Sequence, residues 1–145
     1  MIILVLADNM IFMYIGWEGV GICSYLLISF YRSENKNINA ANKAFFMTRL
    51  GDIFLLVSMI CIYSQVGSLK FQDINIYYES MHPYVLFLII GAAGKSAQIP
   101  LQTWLKDAMA GPTPASALIH AATMVTAGVY LLVRTNCILE SAPNV

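Results

Sequence analysis

The chain has 145 residues, of which 59% are hydrophobic and only 11% charged, and its mean hydropathy of +0.68 exceeds that of an ordinary soluble domain and places it in a bilayer. Eight basic and eight acidic residues cancel, which removes any charge-driven case for nucleic acid or an anionic surface as the main partner. Cys23, Cys61 and Cys137 lack metal-ligand spacing and read as small core residues, and no metal site is expected.

A spanning helix needs about 20 mostly apolar residues. Four such runs separated by polar connections predict an all-α, polytopic membrane helix bundle, a single group of transmembrane segments over residues 1–145. The first span covers about 2–31. It has no basic start and no small-residue cleavage site, and it carries Asp8 and Glu18, so it reads as a span rather than a secretory signal. It ends at the polar segment 32–39, which cannot enter hydrocarbon at reasonable cost. The second span covers about 39–65. The connection 66–81 holds Gly67, Lys70, Asp73 and Glu79, and its structure is not readable from sequence. The third span, about 82–110, is expected to be broken near Pro100, and the fourth runs over about 114–134, with Thr113 as cap and Pro114 in the first turn. Arg32, Lys36 and Lys43 cluster around the first connection and assign it to the matrix or cytoplasmic side.

The chemistry lies in the ionisable residues of the apolar runs. Glu18 stands mid-span, where a charge costs about 2.5–3.5 kcal/mol on insertion scales, so it is expected to face protein or water. Tyr14, Gly21 and Tyr25 share its helix face and offer hydroxyl partners. A structural carboxylate that ties two helices is the competing reading. Lys95 is also mid-span, five residues before Pro100, where a helix break exposes carbonyls that favour a cation; Ser96, Gln98 and Gln102 are expected to solvate it there. The alternative is a proline kink capped by the lysine. His120, with Ser116 and Thr123 at helical spacing, suits a proton relay or a satisfied core position. Arg49 and Asp52 can pair along one face, in a structural or functional role.

Four stretches carry a resemblance: 16–31 (GWEGVGICSYLLISFY), 48–52 (TRLGD), 94–105 (GKSAQIPLQTWL) and 107–128 (DAMAGPTPASALIHAATMVTAG). In this order they closely resemble the antiporter-like chain 5 of NADH:ubiquinone oxidoreductase, respiratory complex I, and cover most of the sequence. The resemblance implies a fold of two inverted repeats of five helices, of which this segment matches the last four helices of the first. It implies that Glu18 and Lys95 are the glutamate–lysine pair of a proton pathway and that Asp52 and His120 are further polar members, with Arg49 beside Asp52; Pro100, Tyr14 and Tyr25 are expected to support them on the helix-break and helix-face grounds above. No redox chemistry is expected in this chain: NADH, FMN, iron–sulfur clusters and ubiquinone would belong to partner subunits. The expected partners are the lipid bilayer and other membrane-arm subunits, including polypeptide that supplies the helices missing here, whether the sequence is a fragment or a split-gene product. The expected location is the mitochondrial inner membrane, with the bacterial plasma membrane as the alternative. Two other functions remain open, the large subunit of a multisubunit sodium/proton antiporter and a structural scaffold remnant.

Overall fold

A computed structural model of the chain describes residues 1–76 and 82–140. Residues 77–81, the end of the second polar connection, lie outside that description. Apolar periodicity and the scarcity of internal breakers make the described residues helical: α1 (Ile2–Val5), α2 (Met10–Ile28), α3 (Asn35–Val66), α4 (Phe71–Ile76), α5 (His82–Lys95), α6 (Thr103–Asp107), α7 (Thr113–Ala117), α8 (Met124–Arg134) and α9 (Asn136–Glu140). A 3-10 turn at Ala108–Ala110 and a π-helical segment at Leu118–Thr123 complete the series.

The run read as one span over 2–31 folds as two helices. Asn9 leaves helical geometry and its side-chain oxygen accepts from the backbone N–H of Phe12 at 2.8 Å, the usual way to satisfy a helix start. The same corner is pinned to the second connection, where Met10 N–H donates to the Leu69 carbonyl at 2.9 Å. Among the described residues, three helical runs are long and apolar enough to cross a membrane: Met10–Ile28, Asn35–Val66 and Thr113–Arg134, the last formed by α7, the π segment and α8 together. The third expected span contributes only a shorter apolar helix, Tyr84–Lys95, before it breaks. Large hydrophobic side chains on these helices, such as Phe12, Ile22, Phe46, Ile53, Ile60, Leu86 and Val129, are exposed, as a lipid-facing surface requires. The chain is a multi-pass membrane protein.

Two apolar clusters make up the interior. One collects Met13, Trp17, Leu55, Met59, Leu88, Ala92, Ala127 and Leu131. The other collects Val20, Ala41, Ala44, Ala97, Trp104, Ile119 and Met124. Each of α2 and α5 passes from the first cluster to the second, whereas α3 and the helical run 113–134 pass from the second to the first. The four runs therefore alternate up and down.

α3 and α5 approach closely, because Gly51 and Gly94 face each other. A Cβ added to either would come within 2.9 Å of the other's Cα, so the two backbones meet as they do at small-residue contacts in membrane bundles.

The third span is broken, and the break begins before Pro100. The helical ladder of α5 stops at Lys95, and Ala97 adopts a left-handed backbone (φ 51°), which is uncommon for a residue with a side chain. Gln98 N–H reaches back to the Ala93 carbonyl at 3.0 Å, and the Ser96 carbonyl accepts from the Gln98 side-chain amide at 3.4 Å. The carbonyl of Gly94 is taken up by the buried indole N–H of Trp104 at 3.2 Å. Trp104→Phe should therefore leave that carbonyl unsatisfied and destabilise the break by about 1–3 kcal/mol. A lowered melting temperature of the purified protein would register it. No change would mean that the carbonyl has another partner.

Candidate functional site

The charged residues of α2, α3 and α5 lie where these helices cross from one apolar cluster to the other. Glu18 falls between Trp17 and Val20, Arg49 and Asp52 between Ala44 and Leu55, and Lys95 between Ala92 and Ala97. They form a polar layer across the bundle.

Arg49 and Asp52, expected to pair along one face of α3, each bond a residue of another helix instead, and Glu18 and Lys95 are engaged in these two crossed pairs. Lys95 Nζ donates to Asp52 Oδ2 at 3.2 Å, with side-chain exposures of only 1% and 2%. Arg49 Nη1 donates to Glu18 Oε2, with both groups partly buried. The cause is the azimuth of the helices. The Gly51–Gly94 contact brings α5 onto the side of α3 that carries Asp52, one residue after Gly51, so Lys95, one residue after Gly94, meets Asp52 first. Lys95 still reaches α2, since its ammonium lies against Gly21, three residues beyond Glu18, where a Cβ would stand 2.8 Å from Nζ.

The expected solvation of Lys95 by Ser96, Gln98 and Gln102 is also corrected. Ser96 Oγ donates to the Val125 carbonyl of the neighbouring helix at 2.9 Å, Gln98 turns to the Ser96 carbonyl, and Gln98 and Gln102 are exposed. Gln98 and Gln102 lie beyond the helix end, where the chain has already left the core. Pro100 is likewise exposed and lies downstream of the helix end rather than at it.

Tyr14 interacts with the Glu18 carboxylate one turn away. Tyr25 packs edge-on against Phe45, ring centroids 5.5 Å apart. Arg49 stacks over that same Phe45 ring at 4.7 Å from its centroid, which holds the guanidinium while it bonds Glu18. His120 lies in the π-helical segment, with Nε2 buried and without a hydrogen-bond partner; Ser116 Oγ and Glu18 Oε1 are in the same condition. The π geometry is accompanied by Thr123, whose hydroxyl donates to the Leu118 carbonyl at 3.1 Å.

One member of the layer was missed by sequence reasoning. Trp17 Nε1–H donates to Asp52 Oδ1 at 2.6 Å, and the Lys95 ammonium lies 5.7 Å from the centre of its ring. The available signal was a tryptophan beside a mid-span glutamate, because a buried indole N–H needs an acceptor.

Comparison with known proteins gives the arrangement its context. Residues 7–145 match the family model described as NADH:quinone oxidoreductase/Mrp antiporter, TM. The NADH-quinone oxidoreductase subunit L of Escherichia coli is 54% identical over 153 residues, covering 100% of this chain and 25% of the relative. NADH-ubiquinone oxidoreductase chain 5 of Metridium senile is 53% identical over 148 residues, with 99% and 25% covered. Among solved structures, the Mrp complex from a Dietzia species superposes with a TM-score of 0.86 at 33% identity, over 92% of this chain and 15% of that one. The chain thus spans 25% of the length of these curated relatives. With the family model matched over nearly the whole sequence, this chain belongs to the NADH:quinone oxidoreductase/Mrp antiporter family of membrane proteins.

Proposed function

We propose that the chain is part of a proton-translocating membrane-arm subunit of respiratory complex I, corresponding to chain 5 or subunit L. The observation that carries this reading is the buried Asp52–Lys95 pair at the end of a broken helix, beside the Glu18–Arg49 pair. The Asp52–Lys95 pair is not explained by stability, because a buried ion pair is often no better than apolar residues of the same volume. A carboxylate near a buried lysine keeps the ammonium charged. Weakening that contact leaves a desolvated ammonium, which favours release of its proton, so a movement of one charge drives the transfer of another. Glu18, Arg49, Asp52 and Lys95 form the switching layer, and His120 is the next relay in this reading.

Redox energy would arrive from partner subunits that hold NADH, FMN, iron–sulfur clusters and ubiquinone. Further polypeptide of the subunit and neighbouring membrane-arm subunits would cover the exposed flanks. The mitochondrial inner membrane is the proposed location, with a bacterial plasma membrane as the alternative that most of the relatives support. The likeness to an Mrp complex keeps a sodium/proton antiporter subunit as the second reading.

Co-purification separates the two. Full-length protein carrying this segment, tagged and extracted from its native membrane in mild detergent, should bring down NADH-oxidising activity with flavin and iron–sulfur spectra. Recovery with antiporter subunits alone, without NADH oxidation, would overturn the complex I reading.

A further inference from the structure

The Asp52 carboxylate has two oxygens with two different donors. Oδ2 receives Lys95, an ionisable group, and Oδ1 receives the Trp17 indole N–H at 2.6 Å, a neutral donor that keeps its proton. Both Trp17 and Asp52 are almost completely buried, and hydrogen bonds to a buried ionised acceptor are among the stronger ones in proteins. The same indole presents its ring to the Lys95 ammonium at 5.7 Å from the centroid. We infer that Trp17 is a positioning residue of the proton-transfer layer, which fixes the Asp52 carboxylate through its N–H while Lys95 gains and loses its proton.

This assignment rests on the proton-translocation reading above. Without Trp17, Lys95 would be the one side-chain donor recorded for Asp52 among the described residues, so the carboxylate would be free to turn whenever the lysine became neutral. With Trp17, the carboxylate keeps its place and orientation through the cycle, and the returning ammonium meets the same oxygen. The competing explanation is that Trp17 only fills space, since it belongs to the apolar cluster built on Leu55 and Leu88. Shape and donor capacity must therefore be separated.

Benzothienylalanine at position 17 does this, because its sulfur replaces the indole N–H in a side chain of almost the same size and ring character. In the intact complex, this replacement should leave complex content in place while lowering proton pumping per complex about tenfold, the factor expected from loss of one hydrogen bond to a charged acceptor. Pumping equal to that of the unmodified complex would overturn the inference. Lys95→Met measured alongside distinguishes the two levels. If Lys95→Met pumps normally, the translocation reading fails; if it does not pump but the benzothienylalanine protein does, only the role of Trp17 fails. Should the replacement reduce assembly, the ultraviolet resonance Raman difference between the unmodified complex and Trp17→Phe decides. It should contain a strongly hydrogen-bonded indole, and a weakly bonded one would overturn the assignment.

Discussion

Asp52→Leu in the intact protein should destabilise the bundle by about 3–5 kcal/mol, because it strips the counter-charge from a buried ammonium and leaves the charge in place. Lys95 has 1% side-chain exposure and, among the described residues, Asp52 is the one carboxylate that it contacts, since Glu18 is engaged with Arg49. The amount of assembled complex in membranes should therefore fall sharply. The double variant Asp52→Leu with Lys95→Met removes both charges and replaces them by apolar groups of similar size, so assembly should largely recover. On the proton-translocation reading proposed above, pumping should not recover, because Lys95 is absent. Quantifying assembled complex by native electrophoresis and pumping by a fluorescent pH probe checks both halves. A double variant as poorly assembled as Asp52→Leu would show that Asp52 is needed for something other than neutralising Lys95.

The second large effect is expected at Gly128, where α8 lies against the end of α5. A Cβ at this position would overlap Ser96 Oγ and stand 2.5 Å from the Ala92 carbonyl oxygen. The hydroxyl can rotate, but the carbonyl belongs to helical backbone and cannot yield without moving the helix. Gly128→Ala should thus separate α8 from α5 and cost about 1–3 kcal/mol, as overpacking of a close contact does. Adding Ser96→Ala should restore only part of the loss, since the backbone conflict remains. Thermal stability of the purified complex across the three variants is the measurement, and full rescue by Ser96→Ala would show that the carbonyl conflict is harmless.

Helix content and the family were legible in the sequence because they depend on composition and on motifs that are local. The apolar runs of α2 and α3, Pro114 in the first turn of α7, and the costly depth of Glu18, Asp52 and Lys95 followed from residue type and position along the chain, whereas Thr113, expected as the cap, is already the first helical residue and Pro112, which has no capping side chain, holds the cap position. Pairing was not legible. Which carboxylate meets Lys95 depends on how α5 is rotated against α3, and that rotation is set by Gly51 meeting Gly94 across about 40 residues of sequence. The same limit hid Trp17, whose acceptor lies on another helix.

The local misreadings have similar causes. Pro100 announced a break but not its upstream limit, which is set by Ala97 turning left-handed and by Trp104 capturing the Gly94 carbonyl. Asn9 was hidden in an apolar run, although it divides α1 from α2 by capping the latter. The π-helical segment at His120 has no motif in the sequence that distinguishes it from an α-helix.

The hydrogen bond from Ser96 to the Val125 carbonyl joins two irregular places in the bundle, the residue after Lys95 and the stretch just past the π-helical segment. Considered kinematically, it acts as a linkage. Lys95 can withdraw from Asp52 only by side-chain rotation or by displacement of the end of α5. A displacement of the backbone carries Ser96 with it, and must then either break this bond or pull on Val125. A π-helical segment has one residue more per hydrogen-bonded ring than an α-helix, so it can return that residue to the adjoining α-helix by a small shift of register. His120 rides on that segment. Lys95 and His120 thus stand at the two ends of one hydrogen-bonded connection, the first beside Ser96 and the second on the segment that precedes Val125.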